Sequence, residues 1–205
     1  PPEQEQNATS IKSTSDVAPQ QPLSGVKVLD FTNTVLGPTT TRFLADHGAT
    51  VVKVESIVHP ESTRIATPFV GEESHLDRSG YFAIHNAGKL SITLNMNVPE
   101  AKAVVHRLIQ WADIMMESFA PGIMKKWGLS YTDVKKIKPA IIMASTCLQG
   151  QTGPSSPQRG YGQMVSAMAG WFEMTGWPDG EPVGPYSAYS DFIDWNFFLV
   201  SILVA

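Results

Sequence analysis

An apolar strand, a helix and a second apolar strand follow one another early in this chain, and this succession constrains its fold more than any other feature. Residues 25–31 (GVKVLDF) predict the first strand, residues 39–47 predict a helix that ends at Gly48, and residues 50–55 (TVVKVE) predict the second strand. A helix between two strands supplies the crossover that parallel neighbours need. The sequence therefore predicts a βαβ unit.

The same alternation continues along the rest of the chain. The remaining predicted elements are strands at 91–94, 114–117 and 140–145 and helices at 99–111, 122–127, 130–137 and 161–174. Strands that alternate with helices are typical of an α/β fold with a doubly wound, Rossmann-like parallel sheet. Such sheets bind ligands outside the carboxyl ends of their strands, so we expect the functional residues in the loops there.

The composition fits one globular domain with a tail. Of the 205 residues, 42% are hydrophobic and 17% are charged, which is enough to bury a core over residues 22–205. Residues 1–21 are rich in Pro, Gln, Ser, Thr and Glu and have no basic start, so they predict a disordered extension rather than a signal peptide. The apolar run at 197–205 is too short to span a bilayer, and we predict no membrane association.

Charge and residue types argue against several ligand classes. A formal net charge of -4 disfavours nucleic-acid binding, so a phosphate-bearing ligand needs a local basic cluster. Cys147 is the only cysteine, which leaves no intrachain disulfide and favours a cytoplasmic location. The five histidines lie far apart, and we predict no metal site. Residues 32–38 contain one glycine where the dinucleotide fingerprint needs three, so a nicotinamide or flavin enzyme is not expected.

One acidic residue, Asp191, stands among small, aromatic and apolar neighbours in the segment 184–192 (GPYSAYSDF). Two interpretations are open: the carboxylate caps a helix by binding its free N–H groups, or it is a chemical reagent. Asp194 follows three residues later. Two carboxylates one helical turn apart repel each other, which would raise the pKa of one of them.

A series of segments in colinear order resembles the class III coenzyme A-transferases, also called the carnitine dehydratase/formyl-CoA transferase superfamily. The segments are 22–32, 36–38, 44–55, 89–94, 112–114, 117–122, 138–139, 150–154, 175–182 and 184–191. Within the family, ESF at 117–119 and the last segment are most similar to the branch that includes benzylsuccinate CoA-transferase subunits. Family members are longer, so the resemblance implies that this chain is the amino-terminal half, within the large Rossmann-like domain.

The resemblance implies an activity and a nucleophile. In this family an aspartate that falls on Asp191 attacks the thioester of an acyl-CoA, giving an aspartyl anhydride and then an aspartyl-CoA thioester. An acceptor carboxylic acid then takes the CoA. Coenzyme A thioester is a substrate in this scheme, and no permanently bound cofactor is expected. The family also implies two interlocked chains, as a homodimer or as a heteromer with a related subunit.

The resemblance also implies which residues contact coenzyme A. They are Thr34, Val35, Arg64, Leu94, Ser118, Phe119, Lys126 and Arg159. Phe119 can stack on adenine, while Lys126 and Arg159 can pair with phosphates. The plain alternatives are a core role for Phe119 and a solvated surface for Lys126 and Arg64. Gly162 stands where some formyl-CoA transferases have a glutamate, which disfavours formyl and oxalate specificity.

Two other functions remain open. An acyl-CoA racemase of the same superfamily uses a His and Asp pair, but Tyr161 stands at the histidine position, and a phenol is a weak base at neutral pH. The other is a non-catalytic subunit that binds coenzyme A within a heteromeric transferase. Cys147 has no evident histidine partner, so we expect a structural thiol rather than a nucleophile.

Overall fold

Five parallel strands form the centre of the protein. The computed structural model describes residues 20–71 and 73–205, so residues 1–19 of the predicted extension lie outside the described residues. The strands are β1 (Lys27–Phe31), β2 (Thr50–Glu55), β3 (Leu90–Thr93), β4 (Ile114–Glu117) and β5 (Ile142–Ser145). They lie in the order β3-β2-β1-β4-β5, and each neighbouring pair is parallel. The predicted α/β fold with a parallel sheet is confirmed.

Helices connect the strands and extend beyond the last one. They are α1 (Leu36–Asp46), α2 (Gly80–Asn86), α3 (Pro99–Trp111), α4 (Ile123–Trp127), α5 (Tyr131–Ile137), α6 (Gly162–Met168), α7 (Trp171–Met174), α8 (Tyr189–Ile193) and α9 (Trp195–Leu203). The bounds of β2, β4 and α3 agree with the sequence prediction at both ends. Helix α1 begins three residues earlier than predicted, because Pro38 falls in its first turn, where a missing N–H costs no hydrogen bond.

The helical prediction differs from the structure in several places, and α8, for example, has no predicted counterpart. The helix predicted at 161–174 is two helices, because Gly170 adopts a φ of 81° between α6 and α7. Helix α2 has no counterpart among the predicted elements. Its start is fixed by Ser79, whose side chain accepts a hydrogen bond from the Phe82 N–H at 3.1 Å.

Apolar residues of the strands alternate between the two faces of the sheet. On one face, Leu29 of β1 packs in a core that includes Val105 of α3. On the other face, Val28 packs in a core that includes Leu44 of α1 and Leu199 of α9. This period of two is that of a strand buried on both sides. Helices therefore cover both faces, and the sheet is doubly wound as predicted.

Buried lysines and carboxylates form a buried ion-pair cluster beside β1 and β2, made of Asp30, Lys53, Glu61 and Lys89. Lys89 Nζ lies 3.1 Å from Asp30 Oδ2, and Lys53 Nζ lies 2.7 Å from Glu61 Oε2. Lys53 Nζ also donates to the carbonyl of Thr32 at 2.7 Å, which holds the start of the loop after β1. Burial alone would raise the pKa of Asp30, but Lys89, Lys53 and two hydroxyl donors lower it to about 2.

A crevice opens where the strand order reverses. Strand β1 pairs with β2 on one side and with β4 on the other, so the loops after β1 and β4 lead away in opposite directions. The backbone N–H of Asn33, after β1, donates to Ser118 Oγ, after β4, at 2.7 Å. Ligands of open parallel sheets bind at this reversal point, and the fold therefore places the expected site here.

Two features are absent from the part of the chain that the structure describes. No helix between residues 20 and 71 or between 73 and 205 is long and apolar enough to cross a membrane. Over the same residues, no three His, Cys, Asp or Glu side chains are grouped so that they could hold a metal ion.

Candidate active site

Asp191 lies in the first turn of α8 and contacts the amino end of α6. Helix α8 begins after Ala188, so Asp191 is not the residue that caps it. Its Oδ2 instead accepts a hydrogen bond from the backbone N–H of Gly162 at 3.2 Å. The neighbouring Ser190 donates from Oγ to the carbonyl of Gly162 at 3.1 Å. These two contacts fix α8, and with it the carboxylate, against the start of α6.

The missing side chain at Gly162 makes this contact sterically feasible. A Cβ at position 162 would lie 2.7 Å from Ser190 Oγ and 2.9 Å from Asp191 Cγ. Both distances are shorter than real non-bonded contacts of a Cβ, so a larger residue would displace α8. A side chain at position 162 is therefore incompatible with the observed position of α8.

A cavity of about 430 Å³, here called the main cavity, opens beside Asp191 at the crevice of the sheet. Its lining comes from the loops after β1, β4 and β5 and from helices α1, α6, α8 and α9. Three of the residues predicted to contact coenzyme A, namely Thr34, Val35 and Ser118, line it together with Asp191. The structure therefore brings this part of the predicted site into one place.

A second cavity of about 250 Å³, here called the side cavity, adjoins the main cavity at Asp191. Its own lining includes Tyr81 of α2 and Phe192 of α8. The residues that line both cavities are Thr34, Val35, Tyr161 and Asp191. Asp191 thus stands at the junction of two spaces, where it can meet two parts of one ligand.

The surroundings of Asp191 disfavour its charge. Burial raises the pKa of Asp191 above its usual value, the Gly162 N–H opposes the shift, and the carboxylate of Asp194 adds to it. Burial also raises the pKa of Asp194. In the side cavity, burial and the charge of Asp191 raise the pKa of Tyr81, so its phenol stays protonated at neutral pH. A carboxylate that is poorly solvated and repelled by a neighbour is a better nucleophile than one in water.

The loop after β1 is held in an unusual conformation. Thr34 has a φ of 73°, in the left-handed region that a β-branched residue seldom adopts. The chain before it is fixed by the bond from Lys53 to Thr32 and by the bond from Asn33 to Ser118. Strain of this kind persists only when the surrounding contacts enforce it, and it is concentrated at functional sites.

Leu94 and Phe119 lie beside the main cavity rather than in it. They line a third cavity of about 100 Å³, which shares Asn33 with the main cavity. The Phe119 ring meets the Trp127 ring edge to face, with the centroids 5.1 Å apart, and both rings pack on the core under α3. One part of Phe119 therefore packs on the core and another borders a cavity, and its stacking on adenine stays a prediction.

Arg64 is engaged by protein groups. Its Nε and Nη2 donate to the two carboxylate oxygens of Glu55 at 2.9 and 2.8 Å, and Nη1 donates to the carbonyl of Leu76 and to Asp77. The guanidinium lies over the ring of Phe82, 3.6 Å from its centroid. These contacts tie the segment between β2 and β3 to the end of β2. A contact of Arg64 with coenzyme A stays a prediction.

Lys126 and Arg159 lie outside the three cavities described above. Both are exposed: Lys126 on α4, and Arg159 in the loop that precedes Gly160, which lines the main cavity. Their contacts with phosphates also stay predictions.

Cys147 lines the main cavity and is half-buried. Burial raises the pKa of its thiol, which therefore keeps the unreactive protonated form.

Sequence reasoning missed three residues that build the site. Asn33 bridges the crevice, Ser190 binds the start of α6, and Tyr81 lines the side cavity. Tyr81 lies on the unpredicted helix α2, far from Asp191 in sequence. The start of that helix at Ser79 is a recognisable capping signal, but its position beside Asp191 depends on tertiary packing.

Comparisons with known proteins point to one family. Residues 23–205 match the model of the family described as CoA-transferase family III. An acetyl-CoA:oxalate CoA-transferase of Acetobacter aceti is 38% identical over 172 residues, which are 84% of this chain and 43% of the relative. A succinyl-CoA:glutarate CoA-transferase of Mus musculus is 40% identical over 178 residues, 86% of this chain and 40% of the relative.

The chain thus spans less than half the length of these curated relatives. Among solved structures, a CAIB/BAIF family protein from Brucella suis is 36% identical and superposes with a TM-score of 0.83. That likeness covers 90% of this chain and 49% of the other. Sequence and structure comparisons therefore agree on the family, and in each of them this chain matches less than half of the relative.

Proposed function

The chain belongs to CoA-transferase family III, and on this basis we propose that it transfers coenzyme A from an acyl-CoA to a carboxylic acid, with Asp191 as the covalent carrier. The observation that carries the proposal is the position of Asp191 at the junction of two cavities, next to the reversal point of the sheet. A carboxylate there can reach a thioester whose CoA arm and acyl group extend in different directions.

Two exchanges at Asp191 account for the reaction. An oxygen of the Asp191 carboxylate attacks the thioester carbon, the C–O bond forms, the C–S bond breaks, and the CoA thiolate leaves. The thiolate then attacks Cγ of Asp191, releasing the donor acid and leaving an aspartyl-CoA thioester. The acceptor carboxylate repeats these steps in reverse order and leaves as the new acyl-CoA. The covalent intermediates divide one difficult transfer of CoA into several steps with lower barriers.

The chain's own groups assist these steps by desolvation and by one backbone donor. Asp191 is partly buried and flanked by Tyr189 and Phe192. Removal of water strengthens the electrostatic contacts at the reacting atoms. The Gly162 N–H, 3.2 Å from Asp191 Oδ2, is placed to orient the nucleophile and to stabilise charge on the same carboxyl when the thiolate adds to it.

The cavities suggest a path for the substrate. The nucleotide end of coenzyme A would lie near Leu94 and Phe119, its arm would cross the crevice past Ser118 and Thr34, and the thioester would reach Asp191. The acyl group would then enter the side cavity. Lys126 and Arg159 remain the proposed partners of the phosphates. In this scheme coenzyme A is a substrate, and a homodimer or heteromer of interlocked chains is the proposed assembly.

A transfer assay on the full-length protein tests this proposal. The protein is incubated with acetyl-CoA or succinyl-CoA and a panel of carboxylic acids, and new acyl-CoA products are identified by mass spectrometry. We expect a new acyl-CoA with at least one pair, and none with Asp191→Asn. Coenzyme A binding without transfer by the unmodified protein would contradict the proposal and favour a non-catalytic subunit.

A further inference from the structure

Asp194 places a second carboxylate in the main cavity beside Asp191. Its backbone is fixed at the junction of α8 and α9, because its N–H donates to the carbonyl of Ser190 at 2.8 Å and its carbonyl accepts from the N–H of Phe198 at 3.0 Å. Within residues 20–71 and 73–205, no side chain forms a salt bridge with Asp194. The main cavity therefore has a second carboxylate on a fixed backbone, and no lysine or arginine of the described residues lies within salt-bridge distance of it.

Acylation changes the charge of Asp191 but not that of Asp194. The free Asp191 carboxylate carries one negative charge. In the anhydride and in the aspartyl-CoA thioester, Asp191 is neutral, and the charge has moved first to the CoA thiolate and then to the released acid. Repulsion between the two side chains is therefore present before the first exchange and absent in the covalent intermediate.

We propose that the fixed charge of Asp194 destabilises the free Asp191 carboxylate relative to its acylated forms, so that Asp194 is a positioning residue that favours the covalent intermediate. This inference rests on the proposed function. It assigns Asp194 an effect through charge rather than through contact with the substrate. The same charge also repels the released acid and promotes its departure from the main cavity.

The other titratable groups around Asp191 do not cancel this effect. Those that line its two cavities are Tyr81 from α2, Cys147 after β5 and Tyr161 at the start of α6. Tyr81 and Cys147 have raised pKa values, so both are neutral near pH 7. Consistent with the geometry, the charge of Asp194 contributes to the raised pKa of Asp191.

The test measures how much of the full-length protein carries coenzyme A on Asp191 at equilibrium. The protein is mixed with fixed concentrations of succinyl-CoA and succinate, quenched in acid and weighed intact, with the site located by peptide mass spectrometry. The variants are Asp194→Asn, which removes the charge at nearly constant shape, and Asp194→Glu, which keeps it. Asp179→Asn, on an exposed turn, is the matched control for loss of one negative charge.

We expect Asp194→Asn to lower the ratio of adduct to free enzyme by about three- to tenfold, as for a like-charge pair that is partly shielded by solvent. Asp194→Glu and Asp179→Asn should retain the ratio within about twofold, since both keep the charge in the cavity. The acidic limb of the pH–rate profile should also move to lower pH in Asp194→Asn, which a purely structural role would not cause.

Two outcomes would overturn the inference while leaving the proposed function intact. One is an equal adduct ratio in the unmodified protein and in Asp194→Asn. The other is an equal loss in the Asn and Glu variants, which would show that shape rather than charge matters. If the unmodified protein forms no adduct on Asp191 with any acyl-CoA, the proposed function itself fails, and this inference fails with it.

Discussion

Two groups of carboxylates in this protein differ in whether a cation compensates their charge. In the buried ion-pair cluster, each carboxylate lies within about 3 Å of a lysine, and the pKa of Asp30 falls to about 2. In the main cavity, the Gly162 N–H is the one donor to the Asp191 carboxylate among the described residues, another carboxylate, Asp194, lies nearby, and burial raises the pKa of Asp191. The first arrangement stabilises an anion, and the second disfavours one.

The difference separates a structural role from a chemical one. Lys53 of the buried cluster also holds the carbonyl of Thr32, so the cluster shapes the loop that leads into the main cavity. The Asp191 carboxylate also holds α8 against α6, but no cation of the described residues pairs with it, and an uncompensated, partly buried charge reduces stability. Perturbed acids of this second kind are concentrated at functional sites. Removing one carboxylate from each region should therefore have opposite effects.

The largest expected effect is the loss of transfer in Asp191→Asn. We expect a decrease in kcat of about 10³-fold or more, because an amide cannot form the anhydride. Stability at pH 7 should not fall, since the substitution removes a carboxylate whose ionisation costs free energy in the folded state. Turnover and urea unfolding measure both quantities, with Asp179→Asn as the control. Normal turnover of Asp191→Asn would contradict the proposed role of Asp191 as nucleophile.

Asp30→Asn should instead reduce the stability of the protein. Loss of this carboxylate leaves the charge of Lys89 buried with only neutral acceptors, Asn86 and the Pro38 carbonyl, which should cost about 3–5 kcal/mol of unfolding free energy. The pKa of Asp30 in the folded protein, about 2, lies below its ordinary 3.8, so the unfolded chain binds more protons between these values.

The stabilisation from Asp30 is therefore complete above pH 4 and is lost as the pH falls towards 2. Urea unfolding of the unmodified protein and of Asp30→Asn across this range should give two free energies that converge as the pH falls. A constant difference between pH 7 and pH 2 would mean that the ion pair is not its source.

Gly162→Ala should test the position of Asp191, because it displaces α8 without removing the carboxylate. The new Cβ would meet Asp191 Cγ and Ser190 Oγ at less than 3 Å, so α8 must shift. A displacement of about 1 Å at a nucleophile typically costs about 10²-fold in rate, and we expect a loss of kcat of that order. Gly180→Ala, where the nearest atom is 3.5 Å away, is the matched control. Equal activity of the two variants would contradict the proposed packing.

Phe119→Leu should have the smallest effect. If the ring stacks on adenine as proposed, its loss should raise KM for the acyl-CoA by about fivefold, while kcat stays nearly unchanged. Because the ring also packs on Trp127, the melting temperature should be measured beside the kinetics. A lower melting temperature with unchanged KM would assign Phe119 to the core alone.

Much of the fold could be predicted from local patterns. The alternation of strand and helix gave the parallel sheet, and the bounds of β2, α3 and β4 followed from their apolar periodicity. The break between α6 and α7 was missed, because a single glycine in a helical pattern is often tolerated. Helix α2 was missed because its short length gives little periodic signal.

The site could be predicted only in part. Resemblance to the family drew attention to Asp191 and to the loop at Thr34, and the fold brings them together. The hydrogen bond from Gly162, the wall formed by Tyr81 and the engagement of Arg64 by Glu55 join residues that are distant in sequence. No local pattern predicts contacts of this kind, since they arise from tertiary packing.

The most direct test of the central claim is to trap the covalent intermediate on Asp191. The full-length protein is mixed with succinyl-CoA, quenched with hydroxylamine and digested, and the peptide that contains Asp191 is examined by mass spectrometry beside Asp191→Asn. We expect a hydroxamate on Asp191 that the variant lacks. An unmodified Asp191 across a panel of acyl-CoAs, with coenzyme A still bound by the protein, would contradict it.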